Sequence, residues 1–227
     1  MGGRYTKIPD NTNKITDFCI SLSNKIQLEV DMYNYKLTQK EYEEKAIDDF
    51  IFYYMDENNR RRQKYEESTS YKDSLLSMYK TEDGVNEYFD RLYDYDLVEL
   101  KNIKSLLKSY ICEDNTNSII GNNITEKLTV NYSLVDTKFT ALSHATMGSI
   151  YKKFIFNIND NLCNILIGKD DIFSYFTIGE LEFMENPVFC FDDRQIAMII
   201  SHERCAILKI TQEEFERFKL LEIPYQI

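Results

Sequence analysis

The chain has 227 residues and a formal net charge of −11, from 27 Lys+Arg against 38 Asp+Glu; 43% of residues are hydrophobic, 29% charged and 14% aromatic. That aromatic content excludes a wholly disordered chain, and only 7 Gly and 3 Pro exclude collagen and Gly/Ser spacers. A pI near 4.8 argues against general nucleic-acid binding, which needs clustered Lys and Arg facing phosphates.

In chain order, Met1 to Asn13 reads as an irregular start. Gly2 followed by Thr6 fits the loose N-acylation pattern, and makes an anchored adaptor one function to weigh. Ile15, Phe18, Cys19, Leu22, Ile26 and Val30 recur at three- and four-residue steps, which predicts one amphipathic helix. Thr38-Gln-Lys-Glu41 is a capping-box pattern that should open a long helix carrying Tyr42, Ala46, Phe50, Tyr53 and Tyr54 on one side. Ser70 is expected to cap a short helix through Leu75, Leu76 and Tyr79. Another should follow Thr81, and Asp94 or Asp96 should start a last one through Leu97, Leu100, Ile103, Leu106, Leu107 and Tyr110.

Cys112 to Asn123, rich in Asn, Asp, Ser and Gly, reads as a linker. Beyond it the period shortens. Leu128, Val130, Tyr132 and Leu134 alternate with polar residues and predict a half-buried strand. Phe154 to Ile158, an Asn159-Asp160 turn and Leu162 to Ile167 resemble a hairpin. Pro187 to Phe191, a turn at Asp192-Asp193 and Gln195 to Ser201 resemble another, with Cys205 to Ile210 as a further strand. Thr211-Gln-Glu-Glu214 is a second capping box, opening a helix through Phe215, Phe218 and Leu221. The expected class is α+β: a helical N-terminal region, then a mostly antiparallel β-sheet region closed by a C-terminal helix. The corresponding domains are 1–112, a linker at 113–123, and 124–227, with separate cores or a shared one.

Chemistry-bearing patterns are few. Ser201-His202-Glu-Arg-Cys205 gathers reactive side chains, and a Cys205 or Ser201 nucleophile beside His202 would suit a hydrolase or transferase. The same residues also read as a polar turn between two strands, and no nucleophile-elbow pattern precedes them. His202 and Cys205 give one weak His-x-x-Cys pair, with His144 and Cys190 as distant partners, but no Cys-x-x-Cys, His-x-x-x-His, phosphate loop or calcium loop occurs, so neither a metal nor a cofactor is expected. Asp160, Asp170, Asp171, Asp192 and Asp193 are explained by turn chemistry. The five cysteines, Cys19, Cys112, Cys163, Cys190 and Cys205, are odd in number and set among apolar neighbours, which predicts free thiols. Arg60-Arg61-Arg62 is flanked by acids and reads as a solvated helix face.

Of 17 tyrosines, 13 precede residue 114, many beside carboxylates. Some must be core; the rest suit a partner surface, and acidic charge around them favours a basic protein. The candidate contact groups are Tyr53, Tyr54, Tyr88, Tyr93, Asp94, Tyr95 and Asp96. No apolar run nears the ~20 residues that span a bilayer, and the start lacks a signal-peptide core, so a cytoplasmic protein is expected. The functional expectation is a non-enzymatic inhibitor, such as an immunity or antitoxin protein that masks a basic enzyme.

Overall fold

The strands bury mainly apolar residues against a common core. In the computed structural model, residues 2–6, 12–32, 34–35, 37–111, 117–141, 150–169 and 171–226 are described, with backbone alone at 2–6, 12, 117–124 and 141. The fold is α+β. The sheet contains β1 (Gly2–Thr6), β2 (Lys25–Asp31), β3 (Leu134–Ala141), β4 (Ile150–Asn157), β6 (Leu181–Phe191), β7 (Arg194–Ile200) and β8 (Cys205–Lys209). Their order is β1-β8-β7-β6-β2-β4-β3, and the short β5 (Phe176–Ile178) joins the beginning of β6.

One register row explains the centre. Phe156, Ile26, Phe189, Ala197 and Leu208 lie opposite one another across β4, β2, β6, β7 and β8. All are buried. The small Ala197 makes room beside the large Phe189, so the row interdigitates. Helices α1 (Thr12–Ser21), α6 (Asn117–Tyr132), α7 (Asp160–Ile167) and α8 (Gln212–Lys219) bring Phe18, Leu128, Leu162 and Phe218 to the same core. Residues Met1–Tyr35, Asp114–Lys138 and Ser149–Ile227 make up this unit, and Lys36–Glu113 with Phe139–Gly148 make up a second.

The second unit is helical. Thr38 opens α2 (Gln39–Glu41), its hydroxyl accepting from the Glu41 N–H in a complete capping box. A π-helical turn (Tyr42–Ala46) leads into α3 (Ile47–Glu67), followed by α4 (Thr69–Tyr79) and α5 (Glu82–Ser109). Leu75, Val85 and Phe89 form a small core, walled by Tyr65, Tyr71, Tyr79 and Tyr88. Tyr79 and Tyr88 stack with ring centroids 4.7 Å apart. Phe139 belongs to this unit, its N–H donating to Asp49 Oδ2 at 2.9 Å.

Several expectations are corrected. The start is strand β1, and α1 already runs from Thr12. The stripe from Ile15 to Val30 divides: α1 ends at Ser21, and Ile26, Leu28 and Val30 belong to β2. Ile26 and Val30 are four apart, a spacing that suits a helix and a strand equally, and sheet pairing on both edges of β2 decides. Ser68, not Ser70, caps α4, accepting from the Tyr71 N–H. No helix starts at Asp94 or Asp96, since α5 runs unbroken from its Thr81 cap. Of the expected linker, residues 117–123 are helical in α6, and 112–116 lie outside the described residues.

Of the strand expected from Leu128 to Leu134, Leu128 to Tyr132 is the last part of α6, where Leu128 is buried but Val130 is 75% exposed, and Leu134 is the first residue of β3. Thr129 Oγ1 donates to the Thr125 carbonyl one turn back. Asn159-Asp160 is no hairpin turn: Asn159 caps α7, its Oδ1 accepting from the Leu162 N–H at 2.9 Å. Asn serves turns and caps with the same side-chain acceptor, and the four-residue spacing of buried Leu162 and Leu166 makes this one a cap. The β6–β7–β8 meander and the Thr211 capping box are found as expected. Arg194 reinforces that cap, donating twice to Glu214 at 2.7 and 3.0 Å and holding its carboxyl down at about 2.

Candidate functional site

Two places concentrate polar chemistry: the β2–β6 crossing in the sheet unit, and α5 in the helical unit. At the first, Glu29 on β2 lies opposite Glu185 on β6. The register slips between Gln27 and Glu29, so the side chains of this segment are re-aimed. Asn186, at φ +51, reaches both ways. Its Nδ2 donates to Glu29 Oε1 at 2.6 Å, and its Oδ1 accepts from the Ser201 N–H at 2.7 Å. Ser201 Oγ in turn accepts from the Asn186 N–H at 3.1 Å.

Glu29 is buried, and burial pushes its carboxyl above the ordinary range. The Asn186 hydrogen bond and the charges of Lys153 and His202 pull the other way without cancelling burial, and Asp31 adds to the rise. Glu185 is raised for the same first reason, then by Glu29. A fold that raises a carboxyl pKa favours its protonated form. The resulting stability is complete below the unfolded pKa and is lost as pH climbs through the folded one. Glu29→Gln, which keeps an acceptor for Asn186, is therefore expected to be more stable than the parent at pH 7.5, with the gap closing towards pH 4. Urea titrations at both pH values measure it; a parent more stable than the variant at pH 7.5 would refute the assignment.

In the Ser201–Cys205 turn the three candidate side chains differ in exposure. Ser201 is buried in the Asn186 interaction. His202 is half exposed, its nearest ion-pair partner being Glu203 at 4.0 Å. Cys205 is 2% exposed, with its Sγ donating to Glu203 Oε2 at 3.7 Å. Cys19, Cys163, Cys190 and Cys205 are free thiols, and burial drives the Cys19 pKa up to about 12. Cys112 and His144 lie outside the described residues. Among the described residues no three His, Cys, Asp or Glu side chains are grouped to hold a metal ion. Asp171 instead pairs with Arg204 at 2.8 Å, and Asp192 accepts from Asn24 at 2.8 Å; Asp170 is outside the described residues.

On α5 the residues expected to meet a partner are dispersed. Successive helical positions turn by about 100°, so Tyr93, Asp94, Tyr95 and Asp96 point four ways. Tyr95 is 61% exposed and Asp94 exposed, whereas Asp96 is 4% exposed and accepts from Arg61 Nη1 at 2.6 Å. Burial works against the Arg61 charge, yet Asp96 holds its pKa above the ordinary value. Tyr53 and Tyr54 meet edge to face and are part-buried, and burial, then Glu99, lifts Tyr54 to about 12. Tyr88 is in the helical core. Each of the three consecutive arginines finds an acid: Arg60 with Asp56, Arg61 with Asp96 and Glu57, Arg62 with Asp90.

What α5 does align is a row of carboxylates. Asp83, Glu87, Asp90 and Asp94 are spaced by four, three and four, share one face and are all exposed. Asp90 is matched by Arg62; Asp83, Glu87 and Asp94 have no ion-pair partner among the described residues. The spacing was present in the sequence, but dividing the helix at Asp94 hid it. Glu29, Glu185 and Asn186 carry no sequence signal, because they are brought together from far apart by strand pairing. Compared with protein-family models, curated proteins and solved structures, the chain matches none.

Proposed function

We propose that the protein is a non-enzymatic interaction module of the cytoplasm that binds and masks a basic partner protein, as an immunity or antitoxin protein masks an enzyme. The supporting observation is the Asp83, Glu87, Asp90 and Asp94 row on α5. Like charges one helical turn apart each cost an isolated helix about 0.2–0.5 kcal/mol, and Arg91, four residues after Glu87 and three before Asp94, offsets only part of that repulsion. A basic surface laid against the row converts the repulsion into attraction and speeds encounter. Among the described residues no helix is long and apolar enough to cross a membrane, which agrees with this setting.

The test is native capture from source cells at low and high salt, with the parent and with Glu87→Lys/Asp94→Lys, and mass spectrometry of what is held. The expected result is one stoichiometric basic protein, held by the parent at low salt, released as ionic strength rises and not held by the double variant. Equal capture by parent and variant, or an empty capture at low salt, would remove the reading. The double variant should itself fold, because both positions are exposed.

A further inference from the structure

The β5–β6 ribbon carries an aromatic pair that the core does not use. Between the pairs Phe176↔Met184 and Ile178↔Leu181, one residue of β5, Thr177, faces two of β6, Glu182 and Phe183. This is a β-bulge, a device that re-aims side chains. Both bulge residues point to solvent, and Phe183 is 46% exposed. Its φ is +59, a left-handed conformation that suits glycine and strains a bulky side chain. Tyr175, 56% exposed, meets it edge to face at 5.9 Å. Glycine would relieve the backbone and burial would reward the ring, but this chain has a strained ring left in water. Strain of this kind collects where a surface works.

Two carboxylates flank Phe183 in the sequence. Glu182 is in the bulge itself and Glu185 is two residues beyond Phe183; neither has an ion-pair partner among the described residues. The nearby cations are already matched, Lys127 by Glu180 and Arg204 by Asp171. The same loop also shows what such a place accepts: the Arg204 guanidinium lies 5.2 Å from the Phe173 ring centroid while pairing with Asp171. A ring and a carboxylate together hold a guanidinium there, two residues before Tyr175.

We propose that the exposed Tyr175–Phe183 pair, with Glu182 and Glu185, is a docking site for an arginine side chain on an exposed segment of the basic partner. The guanidinium stacks on an aromatic face and donates to the carboxylates. The site rests on the reading of a basic partner, but it is separate from the α5 row and is tested separately.

The probe is a seven-residue peptide of alternating Arg and Gly, titrated by calorimetry and by amide chemical-shift mapping. Phe183→Gly is the informative variant, because it removes the ring and relieves the left-handed residue. The expected result is shift changes centred on Tyr175 to Glu185 in the parent, and at least fivefold weaker binding by Phe183→Gly and by Tyr175→Ala. The melting temperature of Phe183→Gly should be no lower than the parent's, so the lost binding cannot be lost folding. Unchanged affinity in both variants, or no binding by the parent at low salt, overturns the docking site. Weakening by Glu87→Lys/Asp94→Lys alone would do the same while leaving the proposed function standing.

Discussion

Phe189→Ala is expected to lower the stability of the sheet unit by about 4 kcal/mol, within the range for removing a buried aromatic side chain. Phe189 is on the central strand β6, fully buried, between Ile26 of β2 and Ala197 of β7. Strands on both sides hold the backbone in place, so the site has little freedom to collapse into the space left behind. At about 2–4 °C per kcal/mol for a unit of this size, melting should fall by roughly 10 °C. Phe189→Leu keeps most of the volume and should cost less than half as much. Urea unfolding measures both, and a loss below 1 kcal/mol in Phe189→Ala would mean that the row through Phe156, Ile26, Phe189, Ala197 and Leu208 is not the packed centre.

Asp96→Ala comes next, at about 3 kcal/mol, in contrast to Asp94→Ala two residues earlier. Asp96 occupies a core position on α5, seven residues after Phe89 and seven before Ile103, all three buried. Removing it takes from Arg61 the closer of its two carboxylates and leaves the longer Glu57 pair at 3.5 Å, and depriving a part-buried charge of its buried partner is the costly change. Asp94 is exposed and follows Asp90 by one turn, so its removal should stay within about 0.5 kcal/mol, on the stabilising side. Arg61→Met/Asp96→Leu should recover most of the loss, since apolar replacements of similar volume satisfy the same space. Equal effects at positions 94 and 96 would contradict the pair.

Asp96 also shows why part of the helical unit was misread. An aspartate in an apolar stripe resembles a helix start, because Asp is a favoured N-cap. Nothing local reveals that Arg61, 35 residues away, neutralises it. Three side-chain caps read from the sequence are found, the capping boxes at Thr38 and Thr211 and the cap at Thr81, whereas the caps at Ser68 and Asn159 were not read. The β6–β7 hairpin is legible as well, with alternating strands meeting at Asp192-Asp193.

Short apolar segments fared differently. Leu128 to Tyr132 alternates like a strand and folds as a helix, while Ile26 to Val30 fits a helical step and folds as a central strand. Over five to seven residues the two periods overlap, and partners distant in sequence choose between them. The candidate sites divide along the same line. The α5 carboxylate row is a spacing within one helix and could be read once the helix was known to continue. The Glu29–Glu185–Asn186–Ser201 group and the Tyr175–Phe183 bulge could not, because both are made by strand register.

By itself, then, the sequence determined the α+β class, the helix starts capped by Thr38, Thr81 and Thr211, the terminal meander and the acidic charge, each of which rests on composition or on interactions spanning a few residues. Only the tertiary structure decided that β2 enters the middle of the sheet, that Asp96 is core and Asp94 surface, and that a strained aromatic pair faces water. Those outcomes depend on strand pairing, burial and ion pairing between residues far apart in the chain, whose energies outweigh the local preferences they override.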